Sequence, residues 1–152
     1  PMKNPRPILL AEDNPNDVEL ILAAFKDANF VNEIHVTRDG EEALDFLHRR
    51  GPYAGCTDPL PAVVLLDLKM PKVDGREVLR HVRTDPALRH LPVVILTSSR
   101  EESDLLASYQ LGANAFVVKP VDFHEFIAAV SKLGFFWAML NEPPPADSNP
   151  PL

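Results

Sequence analysis

The chain has one cysteine, Cys56, which excludes an internal disulfide framework and suits a reducing compartment. Long apolar runs are missing. Stretches such as 61–66 and 134–140 fall far short of the ~20 residues needed to span a bilayer. Residues 1–7 lead straight into a short apolar run, without the charged-then-apolar pattern of a secretion signal. There is no basic excess. The 15 Lys and Arg against 22 Asp and Glu leave a net charge of −7, which argues against nucleic-acid binding by bulk electrostatics. The five histidines, at 35, 48, 81, 90 and 124, lack close ligand spacing, so a histidine metal site is not expected. These absences predict a cytoplasmic chain with neither a membrane nor a nucleic-acid partner.

Its 152 residues suit one domain, able to bury roughly 70% of its unfolded surface. With 45% hydrophobic and 24% charged residues, the composition is that of a globular protein. Proline is the excess. There are 16, about twice the number expected from an average near 5%. Three lie in 1–7, eight in 8–142 and five in 143–152. The internal eight must sit where a missing N–H does no harm.

Short apolar runs at 8–11, 34–37, 62–66, 93–96 and 115–118 read as strands, and several lack polar alternation, as strands covered on both faces do. Helical patterns lie between them. Val18, Ile21, Leu22 and Phe25 follow the i, i+3, i+4, i+7 rule, as do Ala43, Leu44 and Leu47, and Val78, Leu79 and Val82. Asn14 before Pro15 reads as an N-cap. Asp39 with Glu42, Ser99 with Glu102 and Asp122 with Glu125 have capping-box spacing. Gly112 is the expected left-handed helix stop before the last strand. The basic sets His48–Arg50 and Arg76, Arg80, Arg83 read as solvated helix faces. The pattern is β-α five times, a parallel sheet with helices on both faces.

In such a sheet the site lies beyond the carboxyl ends of the strands. Strand one ends at Glu12 and Asp13, strand three at Asp67, strand four at Thr97 and strand five at Lys119. Any one polar strand end could simply meet solvent; a complementary set is harder to explain that way. Three close carboxylates repel one another, and a hard divalent cation relieves the repulsion. Mg²⁺ prefers one or two carboxylates with phosphate oxygens and water, which fits this count. Lys119 offers a positive charge to a phosphoryl group and Thr97 a hydrogen bond. Asp67, closing the buried middle strand, is the candidate nucleophile for an aspartyl-phosphate.

Glu12-Asp13, the run from Leu65 to Pro71 with Asp74-Gly75, then Leu96-Thr97-Ser98, and finally Val118-Lys119-Pro120 resemble the receiver domain of two-component response regulators. The resemblance covers about 8–133 with every motif in order. It implies a doubly wound (βα)5 five-stranded parallel sheet, CheY-like and flavodoxin-like, that takes a phosphoryl group from a sensor histidine kinase. It further implies that Asp67 is the phosphoacceptor. Mg²⁺ would be held by Asp13, Asp67 and the backbone carbonyl of Lys69, with Glu12 acting through water. Thr97 and Lys119 would bind phosphoryl oxygens, Thr97 and Phe116 would switch, and the Lys119–Pro120 bond would be cis. Two positions depart from the commonest pattern: Glu12 stands where Asp is frequent, and Phe116 where Tyr is. Lys69 is either a tuner of phosphate lifetime or a solvated lysine.

Other readings are weaker. A haloacid-dehalogenase-type phosphohydrolase would need an acid where Lys69 stands, and a nucleotide-binding fold a glycine-rich loop where Glu12-Asp13-Asn14-Pro15 stands. A phosphorylation-independent adaptor would be expected to lack some of these residues; a phosphate sink in a relay would keep them. Residues 1–7 read as a flank, 8–133 as the receiver domain, 134–142 as an apolar C-terminal extension and 143–152 as a proline-rich disordered tail. Nothing after 133 is long enough for an output domain, so the expected output is a change in the receiver's own surface. The extension carries Phe135, Phe136, Trp137, Met139 and Leu140. Its three aromatics amount to about 450–750 Å² of apolar surface, more than a monomer normally exposes in one patch. A homodimer seam is the favoured reading, a fold-back onto the same domain the alternative. With the long loop before strand three, this extension resembles small response regulators partnered with bacterial phytochromes, which implies a light-sensing kinase upstream.

Overall fold

The computed structural model describes residues 6–131. Five strands, β1 (Ile8–Ala11), β2 (Ile34–Thr37), β3 (Val63–Asp67), β4 (Val93–Thr97) and β5 (Ala115–Val118), form one parallel sheet in the order β2-β1-β3-β4-β5. Five helices connect and follow them: α1 (Pro15–Asp27), α2 (Gly40–His48), α3 (Gly75–Thr84), α4 (Arg100–Ser108) and α5 (Phe123–Ser131). This is the expected doubly wound fold. The apolar extension at 134–142, with Phe135, Phe136, Trp137, Met139 and Leu140, lies outside the described residues.

Alternation along the strands builds two cores. Leu9, Ala11, Val64 and Leu66 face α2, α3 and α4, whereas Ile8, Leu10, Val63 and Leu65 face α1 and α5. All four residues of β1 and all five of β3 and β4 are buried, which explains their unbroken apolar runs. Phe25 of α1 touches Phe30, Phe123 and Phe126 with ring centroids 4.8–5.2 Å apart, tying α1 to α5. Such pairs add about 0.5–1.5 kcal/mol each beyond the area they bury.

The helix starts follow local chemistry. Asn14 Oδ1 accepts from the N–H groups of Asn16 and Asp17, with Pro15 at the first helical position. Asp39 and Ser99 accept from the N–H groups of Glu42 and Glu102. The two glutamates reach back one residue further than a capping box requires, to the N–H groups of Arg38 and Ser98.

Three local expectations are corrected. Leu22 is 36% exposed, because Val18, Ile21 and Phe25 already fill the contact with the sheet. The left-handed residue after α4 is Gln110, at φ 51°; Gly112, at φ 87°, lies further along the connection to β5. Arg83 is no solvated cation: it donates to the carbonyls of Gly112, Arg89 and Leu91 and to Asn114 Oδ1, fastening together the loops that lead into β4 and β5.

Candidate functional site

Parallel register brings the strand ends to one edge. Ala11 pairs with Leu66 and Asp67 with Leu96, so the residues following β1 and the last residues of β3 and β4 meet there. Glu12, Asp13 and Asp67 each place a carboxylate oxygen within 4.8 Å of the others. Glu12 and Thr97 are fully buried, Asp67 nearly so, and Asp13 is exposed. Glycine at position 75 lets α3 approach the acceptor strand. A Cβ there would lie 2.4 Å from the Asp67 carbonyl oxygen and 2.6 Å from Leu68 Cα. The Gly75 N–H donates to the Leu68 carbonyl, closing the β3–α3 loop.

Lys119 follows β5, and its N–H donates to the Thr97 carbonyl. The Lys119–Pro120 peptide bond is cis. The ammonium stands among three carboxylates: Glu12 Oε1 at 2.7 Å, Asp17 Oδ2 at 3.1 Å and Asp67 Oδ2 at 3.5 Å. Burial raises the Glu12 carboxyl to about 7; the pairing with Lys119 and the Asn14 N–H work against that rise, and the Asp67 charge adds to it. Burial also works against the Lys119 charge, but Glu12, Asp17 and Asp67 outweigh it and hold its pKa above the ordinary lysine value. Glu12 Oε1 is paired with the Lys119 ammonium. Three carboxylates with oxygens this close together form a donor set that suits a divalent cation or a water bound to one.

A family profile described as "Response regulator receiver domain" matches residues 8–131. The chain is a member of that family. Response regulator Rcp1 of Synechocystis sp. is 38% identical over 133 residues, covering 88% of this chain and 89% of that one. Among solved structures, the bacteriophytochrome response regulator AtBRR is 60% identical with a TM-score of 0.83, covering 90% of this chain and 98% of that one. The bacteriophytochrome response regulator RtBRR is 56% identical with a TM-score of 0.82, covering 92% and 84%. Rcp1 has also been solved in a Mn²⁺-bound form, 35% identical with a TM-score of 0.68, covering 97% and 100%.

Receiver-domain response regulators are typically signalling proteins, phosphorylated by sensor histidine kinases. Among the described residues of this receiver, no helix is long and apolar enough to cross a membrane. Glu12, Asp13, Asp67 and Lys119 come together directly. Thr97 ends the neighbouring strand, and its hydroxyl donates to the Ser99 carbonyl at 3.2 Å. Phe116, on β5, is half-buried against the core on the α4 side of the sheet. Lys69 follows Asp67 by two residues; its side chain is 84% exposed, with the ammonium 3.9 Å from Glu102.

Two residues at the site are not assigned to it from the sequence: Glu102 reads there only as a helix-capping acid, and Asp17 is not singled out. Glu102 accepts from both the N–H and the hydroxyl of Ser98, beside Thr97, as well as facing Lys69. Asp17, on the first turn of α1, accepts from Lys119. An acid in a first turn is ordinary helix chemistry, and nothing local signals its reach to a residue 102 positions away.

Proposed function

We propose that Asp67 is the phosphoacceptor of a Mg²⁺-dependent transfer from a sensor histidine kinase. The observation that carries this reading is the convergence of Glu12, Asp13, Asp67 and Lys119 on one edge of the sheet. Asp13, Asp67 and the Lys69 backbone carbonyl would hold the cation, with Glu12 acting through a bound water. When bound, the cation neutralises charge between the carboxylates and the incoming phosphoryl oxygens. The Asp67 carboxylate attacks phosphorus as the N–P bond of the kinase phosphohistidine breaks. The bonding pair stays with the imidazole nitrogen, which then takes a proton. Lys119 and Thr97 supply charge and a hydrogen bond to the transferred group. Attack of water on phosphorus later breaks the Asp67 O–P bond and restores the carboxylate.

Phosphorylation adds charge beside Thr97, and the response is a population shift in which Thr97 turns toward the phosphoryl group and Phe116 moves inward. The likeness to AtBRR and RtBRR supports a bacterial phytochrome as the upstream kinase. The same reading has the receiver working in the cytoplasm without a nucleic-acid partner. It dimerises through Phe135, Phe136, Trp137, Met139 and Leu140.

The deciding experiment is incubation with acetyl phosphate and Mg²⁺, read by intact mass. The wild-type chain gains one phosphoryl group and the Asp67→Asn variant gains none. An unmodified wild type, or equal gain by the variant, overturns the assignment. A chain cut after Leu133 should have a lower solution mass than the full chain; an unchanged mass overturns the dimer.

A further inference from the structure

Lys119 has three N–H groups to give, and three carboxylates surround them. A phosphoryl oxygen carried on Asp67 therefore competes with these carboxylates for one ammonium, which already donates to Asp17 Oδ2. Which neighbour yields follows from burial. Glu12 is fully buried, so separating it from Lys119 would leave a carboxyl out of reach of water and without its cation. Asp17 has a side chain 27% exposed, so water replaces the lost contact at small cost.

Asp17 is also held firmly in place. Its N–H donates to Asn14 Oδ1, and the Asn14 N–H donates to Glu12 Oε2. The cap of α1 thus sets Glu12 and Asp17 at fixed positions on two sides of the ammonium. Asp17 does not belong to the Glu12–Asp13–Asp67 cluster that would hold a cation.

We propose that Asp17 is a positioning residue that competes for Lys119, holding its ammonium between α1 and Asp67 and yielding it when a phosphoryl group occupies Asp67. This rests on the phosphoacceptor reading above. Because the pair opposes engagement of Lys119 with the phosphoryl group, removing its charge should strengthen that engagement.

The test compares the full-length chain with Asp17→Asn, Asp17→Glu and Glu19→Gln. The last neutralises an exposed acid on the same helix away from the site. Binding of beryllofluoride with Mg²⁺, a phosphoryl mimic, is measured by titration. Asp17→Asn should bind about two- to fivefold tighter, the change expected from releasing one partly exposed ion pair. Asp17→Glu should return toward the wild-type value, and Glu19→Gln should not differ from it.

Equal binding by Asp17→Asn and wild type, or equal tightening by Glu19→Gln, overturns the proposal. A second readout is the Lys119 side-chain ¹⁵N resonance without beryllofluoride. It should shift in Asp17→Asn and stay in place in Glu19→Gln; an unmoved resonance also overturns the proposal. A wild type that binds no beryllofluoride while its Lys119 resonance still responds to Asp17→Asn refutes the phosphoacceptor reading and the competition with it, leaving only the ion pair.

Discussion

Lys119 stands closer to Glu12 than to Asp67, with its ammonium 2.7 Å from the first and 3.5 Å from the second. The residue expected to meet the phosphoryl group is thus also the counter-charge of a fully buried carboxylate. One amine serves the stability of the sheet edge and the chemistry performed there.

Lys119→Met should accordingly cost stability as well as function. It leaves Glu12 buried without its nearest cation, and we expect a loss of about 1–3 kcal/mol, since Lys119 keeps some contact with water. Adding Glu12→Gln to that variant should recover part of the loss, because the stranded charge is then gone. Urea denaturation of the two variants checks the order; a double variant no more stable than the single one would refute the pairing.

Asp13→Asn should act in opposite directions on the protein with and without cation. Without Mg²⁺ it relieves repulsion among Glu12, Asp13 and Asp67, so Tm should be unchanged or slightly higher. With Mg²⁺ the wild type should gain stability by linkage, about 2.7 kcal/mol at a hundred times Kd, and the variant less than half of that. Calorimetric melts across a Mg²⁺ titration measure both effects.

Gly75→Ala should disturb the acceptor strand without altering any polar group. The new methyl would meet the Asp67 carbonyl oxygen at 2.4 Å and Leu68 Cα at 2.6 Å, backbone atoms that cannot swing aside. A cost of about 2 kcal/mol or more is expected, together with weaker Mg²⁺ binding as the β3–α3 loop shifts. Denaturation and a cation titration on the same sample test the pair of effects.

His35 should make stability fall toward acid. Its ring stacks on Phe46 with centroids 4.3 Å apart, and Nε2 lies 2.9 Å from the Tyr53 hydroxyl. Burial lowers its pKa, opposed by Glu42 and Glu33 and helped by Arg49. A histidine kept neutral by the fold contributes stability that is present above its unfolded value near 6.5 and lost as pH falls through the folded value. His35→Phe keeps the stacking and removes the titration. The urea midpoint of the variant should therefore drop less than that of the wild type between pH 7.5 and 5. An equal drop would assign the acid sensitivity to other groups.

Much of the fold was legible because its signals are local. The unbroken apolar runs of β1, β3 and β4 reflect burial on both faces, and Asn14-Pro15, Asp39 and Ser99 announce helix starts through hydrogen bonds spanning two or three residues. Periodicity was less decisive at the margin of a face. Leu22 fits the α1 pattern but falls beyond the width of the sheet it would cover. Arg83 and Arg49 look like solvent-facing cations by spacing. Arg83 instead collects three carbonyls and an amide oxygen, and Arg49 lies over the Phe46 ring while donating to the carbonyls of Asp58 and Pro59.

The sequence alone determined which strands exist, which helices follow them and which polar residues end each strand, because these depend on neighbours a few positions away. Only the tertiary structure decided how Lys119 is shared. Its three partners come from the end of β1, the first turn of α1 and the end of β3, and the distances among them follow from strand register and helix docking. An ion pair such as Asp17–Lys119 has no sequence period, since nothing but the closed fold brings its two ends together.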